Sequence, residues 1–335
     1  MPNPDPCAAL HARVQQTARL GGILGAAARY HLARAGGLMR GRLALAVAAS
    51  LSVDQPSALD LAVACELLHN ASLVHDDIQD GDILRRGREA VWVRFGQPVA
   101  INLGDHLLAC AFAALAAMSA PPERRTRLVT LFARATSIIA SGQSDEILRR
   151  DDQHLDRERY ERIARDKTGP LLALPLESAA VLAGLEGEAV AAIREGGLLL
   201  GTAYQIADDI ADLLDGKQRG EPGADLREGK LTWPLLDFLE RAAPAVQDQL
   251  LALLVGRGRR TADVAPWVRA IRDDGAVERA TLRAQELVTA ARQAWSALPP
   301  PCQLLLAGEA ERFLRTLPSS GQRSIASDEG VEVAK

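Results

Sequence analysis

The run Pro56-Ser-Ala-Leu-Asp-Leu-Ala-Val-Ala-Cys-Glu-Leu-Leu-His69 decides the architecture. Leu59, Val63 and Leu67 recur at i, i+4 and i+8, the spacing of a helix with a buried stripe. Outward from it the composition stays helical. Ala, Leu, Arg and Glu dominate, while β-branched and aromatic residues are sparse. Glycine and proline punctuate at Gly36-Gly37, Gly81, Gly96, Pro121-Pro122, Gly184, Gly216, Gly256 and Pro299, leaving intervals that suit helices of roughly 15–30 residues. No alternating runs joined by hairpin turns occur, so no sheet is expected. The pattern predicts an all-α fold: one large helical bundle over residues 1–317, with a polar, disordered tail over 318–335.

Charge and cysteine content narrow the function. The 335 residues carry 39 Lys+Arg against 43 Asp+Glu, a net charge of −4. That is no footprint for nucleic acid. Cys7, Cys65, Cys110 and Cys302 form no CxxC pair, which fits a reduced, cytoplasmic setting. The longest charge-free run, Leu107 to Pro122, is short of a membrane span and ends in two prolines, so no transmembrane segment is expected.

Two acidic motifs carry the chemistry. Val74-His-Asp-Asp-Ile-Gln-Asp80 and Gln205-Ile-Ala-Asp-Asp-Ile-Ala-Asp212 share the pattern Asp-Asp-x-x-Asp. On a helix Asp76 and Asp80 lie one turn apart on one face, as do Asp208 and Asp212. Such like-charged pairs cost roughly 0.2–0.5 kcal/mol each, and no Lys or Arg stands four residues away to offset them. A single acidic pair is usually a solvated surface. Two copies, each behind an apolar stretch (Ala71 to Val74, Gly197 to Leu200) and each ahead of basic residues, point to an external cation instead. Carboxylate oxygens suit Mg²⁺, which keeps waters and shares substrate phosphates. The basic residues are Arg85-Arg86-Gly87 after the first motif, and Lys217, Arg219, Arg227 and Lys230 after the second. Arg grips phosphate bidentately and Lys meets it as a point charge. Arg219 and Arg227 read as surface charges.

These residues resemble the trans-polyprenyl (isoprenoid) diphosphate synthases. His69 to Gly87 is similar to that family's first aspartate-rich motif with its trailing Arg-Arg-Gly. Gly104-Asp105, Gly142-Gln143 and Lys167-Thr168 match further family pairs. Tyr204 to Asp212, followed by Gly216-Lys217, Asp225 and Gly229-Lys230-x-Thr-x-Pro234, resembles the second motif. The likeness covers about residues 20–315. It implies a helical bundle with a central cavity, working as a cytoplasmic homodimer on isopentenyl diphosphate and an allylic diphosphate. It also implies roughly three Mg²⁺ ions per active site.

Carried over residue by residue, the resemblance implies that Asp76, Asp80 and Asp208 hold Mg²⁺, supported by Asp77, Asp209 and Asp212. It assigns the allylic diphosphate to Arg85, Lys167, Thr168 and Lys230, with Lys217 closing over it and Gln205 orienting water or substrate. Arg42, His69 and Arg86 would bind isopentenyl diphosphate. His75 and Trp92 read as structural.

The chain departs from the family at Gly36-Gly37-Leu38-Met39-Arg40-Gly41-Arg42-Leu43. The usual motif is Gly-Gly-Lys-Arg-x-Arg-Pro, so Met39 replaces a lysine. Arg40 could reach the same oxygens. In this family the side chains four and five positions before the first Asp floor the product cavity. Here they are the small Ser72 and Ala71, which implies a product longer than C15, geranylgeranyl diphosphate by preference, limited further down by Phe112, Leu68 or Cys65. Three other functions compete. A class I terpene cyclase would ionise an allylic diphosphate without isopentenyl diphosphate, a reading Met39 motivates. A non-catalytic partner subunit would be expected to lose the motif aspartates, and all six are present. A metal-storing bundle would need Glu-x-x-His ligands that the sequence does not offer at suitable spacing.

Overall fold

A computed structural model describes residues 6–148, 156–214, 222–255 and 261–318. In chain order the helices are α1 Pro6–Thr17, α2 Gly22–Leu32, α3 Met39–Ser50 and α4 Gln55–Asp80, then α5 Val91–Phe95, α6 Gln97–Ala117, α7 Pro122–Leu148 and α8 Arg157–Lys167. There follow α9 Gly169–Ala183, α10 Gly187–Leu214, α11 Ala224–Glu228 and α12 Trp233–Arg241. The last four are α13 Pro244–Val255, α14 Ala265–Asp273, α15 Ala276–Ala294 and α16 Pro300–Leu314. The all-α expectation holds. One correction concerns strands: β1 Leu84–Arg85 and β2 Arg88–Glu89 pair as a tiny antiparallel hairpin. Two-residue strands are too short to leave an alternating pattern, and this hairpin carries Arg85 and Arg86. Most of the proposed tail lies outside the described residues.

The quoted run forms the first half of α4. Asp54 starts the helix by accepting the Ser57 backbone N–H at 3.0 Å, and Gly81 (φ +70°) ends it in the left-handed conformation. Burial goes beyond one stripe. Val63 and Leu67 are buried, but so are Leu61, Ala62, Ala64, Cys65 and Leu68 around the other sides, while Leu59 is only partly so. The helix is central, packed by α1, α3, α6 and α9. Each fully buried leucine contributes roughly 1.5–3 kcal/mol, and one continuous apolar cluster runs from Leu10 to Leu317.

Small residues set how closely the helices cross. A Cβ on Gly201 would lie 2.6 Å from the Gly169 Cα, and one on Gly197 would lie 2.6 Å from the Ala173 Cα. α9 and α10 therefore touch backbone to backbone, which fixes the height of Asp208 two turns beyond Gly201. A Cβ on Gly142 would lie 2.6 Å from the Lys167 backbone nitrogen, so that glycine lets α7 meet the end of α8. Gly104 does the same for His75, whose ring packs against α6 with Nε2 3.3 Å from the Ile101 carbonyl. His75 is structural, as expected. Trp92 is too: it packs on the core, and its indole N–H donates to the Asp82 carbonyl at 2.7 Å.

The charge-free criterion passed over two helices. Once two charges are tolerated, α4 and α6 are long and apolar enough to cross a bilayer by length and composition. The apolar stretch of α4 is 72% buried and belongs to the core, whereas that of α6 is only 33% buried, with Ile101 exposed.

Candidate active site

The ends of α4, α8 and α10 open onto one cavity of about 670 Å³. Asp76 and Asp80 reach it from α4, Asp208 and Asp209 from α10, Lys167 and Thr168 from the end of α8, and Lys230 from the segment after α11. Acid and base are interleaved on this wall. Lys230 lies 3.1 Å from Asp80 and 2.6 Å from Glu228, and Lys167 is ion-paired with Glu146 of α7. Burial alone would lower both lysine pKa values. The carboxylates around them (Glu146, Asp76 and Asp80 for Lys167; Asp225, Asp80 and Glu228 for Lys230) outweigh it and raise both. Burial pushes the Asp76 carboxyl up to about 6; Lys167 pulls it back, and Asp80 and Glu146 add to the rise.

Asp209 and its neighbours form a fixed chain. Its carboxylate accepts the Tyr160 hydroxyl, the Trp233 backbone N–H at 3.1 Å and the Gln205 amide at 3.2 Å. The Gln205 oxygen in turn accepts the Thr168 hydroxyl at 2.7 Å. Gln205 thus has one orientation, set from both sides.

Around the corner the lining turns basic. Arg34, Arg40, His69 and Arg86 line the same cavity, with Arg85 between the two regions. Arg85 is held by Asp77, which accepts its Nε at 2.7 Å, and by Asp82 at 3.1 Å. Burial and the neighbouring Arg40 and Arg86 hold His69 neutral, well below the usual histidine range. Its Nδ1 and the Arg40 Nε are buried with no hydrogen-bond partner. Burial first, and the like charge of Arg85, lower the Arg86 pKa. Leu73, Ile139, Ile163 and Leu171 supply apolar lining, along with Ser72 and the buried Gln143 amide, whose oxygen and nitrogen both lack partners.

Several expected residues sit elsewhere. Asp77 and Asp212 are buried and off the cavity lining: Asp77 clamps Arg85, and Asp212 accepts the Asp225 backbone N–H at 3.1 Å, organising the start of α11. Asp77 is one position along from the cavity-facing Asp76 and so turns away by about 100° on the helix. Asp212 shares a face with Asp208 but lies one turn further along α10, where α11 begins beside it. Arg42 is exposed and not on the lining; Arg40 takes that place. Ser72 faces the cavity, but Ala71 is buried in the core and Phe112 is half-buried against it, neither lining the cavity. Lys217 lies outside the described residues. Sequence reasoning missed Arg34, Glu146 and Tyr160 as site residues. Glu146 is three residues from Gln143 and Tyr160 seven from Lys167, so helical spacing could have placed both. Arg34 left no such signal.

Hard divalent cations fit the carboxylate set. Among the described residues no three His, Cys, Asp or Glu side chains converge closely enough to hold a metal alone. The donors suit an ion that takes a few carboxylate oxygens and completes its shell with water and phosphate, as Mg²⁺ does.

The comparisons agree with this geometry. The chain is 34% identical over 269 residues to a geranylgeranyl pyrophosphate synthase of Geoglobus acetivorans, covering 80% of this chain and 82% of that one. It is 28% identical to the octaprenyl diphosphate synthase of Escherichia coli, covering 81% and 83%. Among solved structures, a polyprenyl synthase of Caulobacter crescentus complexed with calcium and isoprenyl diphosphate superposes with a TM-score of 0.82 at 29% identity, over 93% of this chain and 94% of that one. The polyprenyl synthetase family model matches residues 22–271, three-quarters of the sequence, and the chain belongs to that family.

Proposed function

We propose that the protein is a trans-prenyltransferase that condenses isopentenyl diphosphate with an allylic diphosphate to give a trans-polyprenyl diphosphate longer than C15, geranylgeranyl diphosphate by preference. One observation carries this reading: a single cavity has two regions suited to anions, a carboxylate–lysine wall and an arginine–histidine wall, with apolar lining as well. A cyclase or lyase needs only the first. The orphaned Arg40 and His69 atoms favour the second substrate.

The allylic diphosphate sits against Asp76, Asp80 and Asp208, with Arg85, Lys167 and Lys230 around it. Mg²⁺, about three ions when bound, supplies Lewis-acid charge that stabilises the leaving pyrophosphate. Lys167 and Lys230 would exchange their present carboxylate partners for phosphate oxygens, which frees Glu146 and Asp80. The carbon–oxygen bond breaks to an allylic cation. The fixed Gln205 and Thr168 dipoles stand beside it, already oriented, which avoids reorganisation at the moment of ionisation. The isopentenyl double bond attacks that cation, its diphosphate held by Arg40, Arg86 and His69, and the resulting cation loses a proton to the released pyrophosphate. Leu73, Ile139 and Leu171 take up the growing chain and keep water from the cation.

We place the enzyme in the reducing cytoplasm as a homodimer formed through α6, whose apolar and largely unburied surface needs cover. A sedimentation mass of one chain would contradict the dimer. The function itself is tested by incubating the protein with Mg²⁺, isopentenyl diphosphate and, in turn, dimethylallyl, geranyl and farnesyl diphosphate, sizing products by mass spectrometry. Elongated diphosphates are expected from each primer. Loss of primer without isopentenyl uptake would make it a lyase, and no reaction with intact binding would make it a partner subunit.

A further inference from the structure

We infer that Arg34, a residue outside every recognised motif, is the third cation for the second diphosphate and carries the charge that Met39 lacks. The inference rests on the two-substrate reading above. Arg34 lies just past α2, where the chain turns at Gly36 (φ +61°). Its Nη1 donates to the Arg86 carbonyl at 2.7 Å, and the Arg86 Nη1 donates back to the Arg34 carbonyl at 2.6 Å. Gly36 makes room for this exchange: a Cβ there would stand 2.8 Å from the Arg86 guanidinium carbon.

The exchange places two guanidiniums beside one another on the cavity lining, next to Arg40 and the neutral His69. Glu66 is a carboxylate that acts on both Arg40 and Arg86, and it is engaged with the Gly41 backbone N–H at 2.8 Å. Three guanidiniums therefore share one region of the lining against two carboxylates, Glu66 and, for Arg86, Asp77, and Asp77 is already engaged by Arg85. Arg34 is exposed at the mouth and keeps most of its five donors for a ligand. Met39 packs half-buried against the core and brings no charge. A doubly charged diphosphate fits this excess, and Arg grips it bidentately.

The test measures binding and turnover together. Isopentenyl diphosphate affinity of the resting enzyme is read by calorimetry, and KM values for both substrates by steady-state assay, in wild type, Arg34→Ala, Met39→Lys and the double variant. Arg34→Ala should weaken isopentenyl diphosphate binding about tenfold or more while the allylic KM moves less than about twofold. Met39→Lys should recover most of that loss in the Arg34→Ala background, because it restores charge without restoring the bond to Arg86. An Arg34→Ala enzyme with unchanged isopentenyl diphosphate affinity overturns the inference. So does a loss that Met39→Lys cannot recover, which would make Arg34 a prop for Arg86. A wild type that elongates primers while Arg34→Ala matches it sinks only the inference. A wild type that binds isopentenyl diphosphate through Arg34 but never elongates sinks only the function.

Discussion

The acidic and basic walls of the cavity solve opposite problems. On the acidic wall the carboxylates already have partners within the protein: Lys230 lies on Asp80, Lys167 on Glu146, and the Tyr160 hydroxyl and Trp233 backbone N–H donate to Asp209. On the basic wall the like charges face one another, and buried Arg40 and His69 atoms have no partner. The first is poised to exchange its lysines for metal and phosphate. The second is suited to an anion, and Arg34 and Arg86 hold each other in place by donating to each other's carbonyl groups. One wall therefore governs bond breaking and the other governs capture of the nucleophile, and substitutions should separate the two kinetically.

The largest effect is expected on the acidic wall. Asp80→Asn or Asp208→Asn should lower kcat by about 100- to 1,000-fold, measured as turnover at saturating substrates, since each removes charge that stabilises the leaving group. A change confined to KM would erase the distinction between the walls. The complement is Arg40→Met, which should raise the isopentenyl diphosphate KM about tenfold with little change in kcat. A fall in kcat of the size seen for the aspartates would show that the basic wall also acts in the transition state.

The next prediction sharpens the boundary between cavity and core. Ser72 lines the cavity whereas its neighbour Ala71 is packed in the core. Ser72→Phe should therefore shorten the product. Ala71→Phe should instead overpack α4 at about 1–3 kcal/mol, read as a lower melting temperature with the same product mass. A shortened product from Ala71→Phe would return the floor to the place the sequence suggested.

The smallest effect is a slope. Burial raises the Asp76 pKa from 3.8 to about 6, so the folded protein binds this proton more tightly than the unfolded chain. Its stabilising contribution is full below 3.8 and is lost as pH rises through about 6. Without metal, wild type should gain stability relative to Asp76→Asn as pH falls from 7 to 5, measured by denaturant midpoint. Parallel curves for the two proteins would show that the carboxyl is not buried as described.

Much of this was legible before any coordinates. Helical periodicity and composition specify the bundle, and helical spacing pairs Asp76 with Asp80 and Asp208 with Asp212. The family resemblance singled out Asp76, Asp80 and Asp208, the three of those four that also line the cavity with Asp209. The same spacing should have excluded Asp77, which turns away to clamp Arg85, but a motif does not say which of two adjacent carboxylates faces inward. Ala71 and Ser72 were indistinguishable for the same reason. Arg34 was hidden differently. It reaches the cavity through a loop and through contacts with the Arg86 backbone, 52 residues away, which leave no periodic trace.

The most direct measurement gives the protein farnesyl diphosphate, deuterated isopentenyl diphosphate and Mg²⁺, and weighs the diphosphate that forms. Two walls acting on two substrates predict a C20 product carrying one labelled five-carbon unit. Farnesyl diphosphate consumed with no label incorporated would contradict it, because the basic wall would then hold no nucleophile.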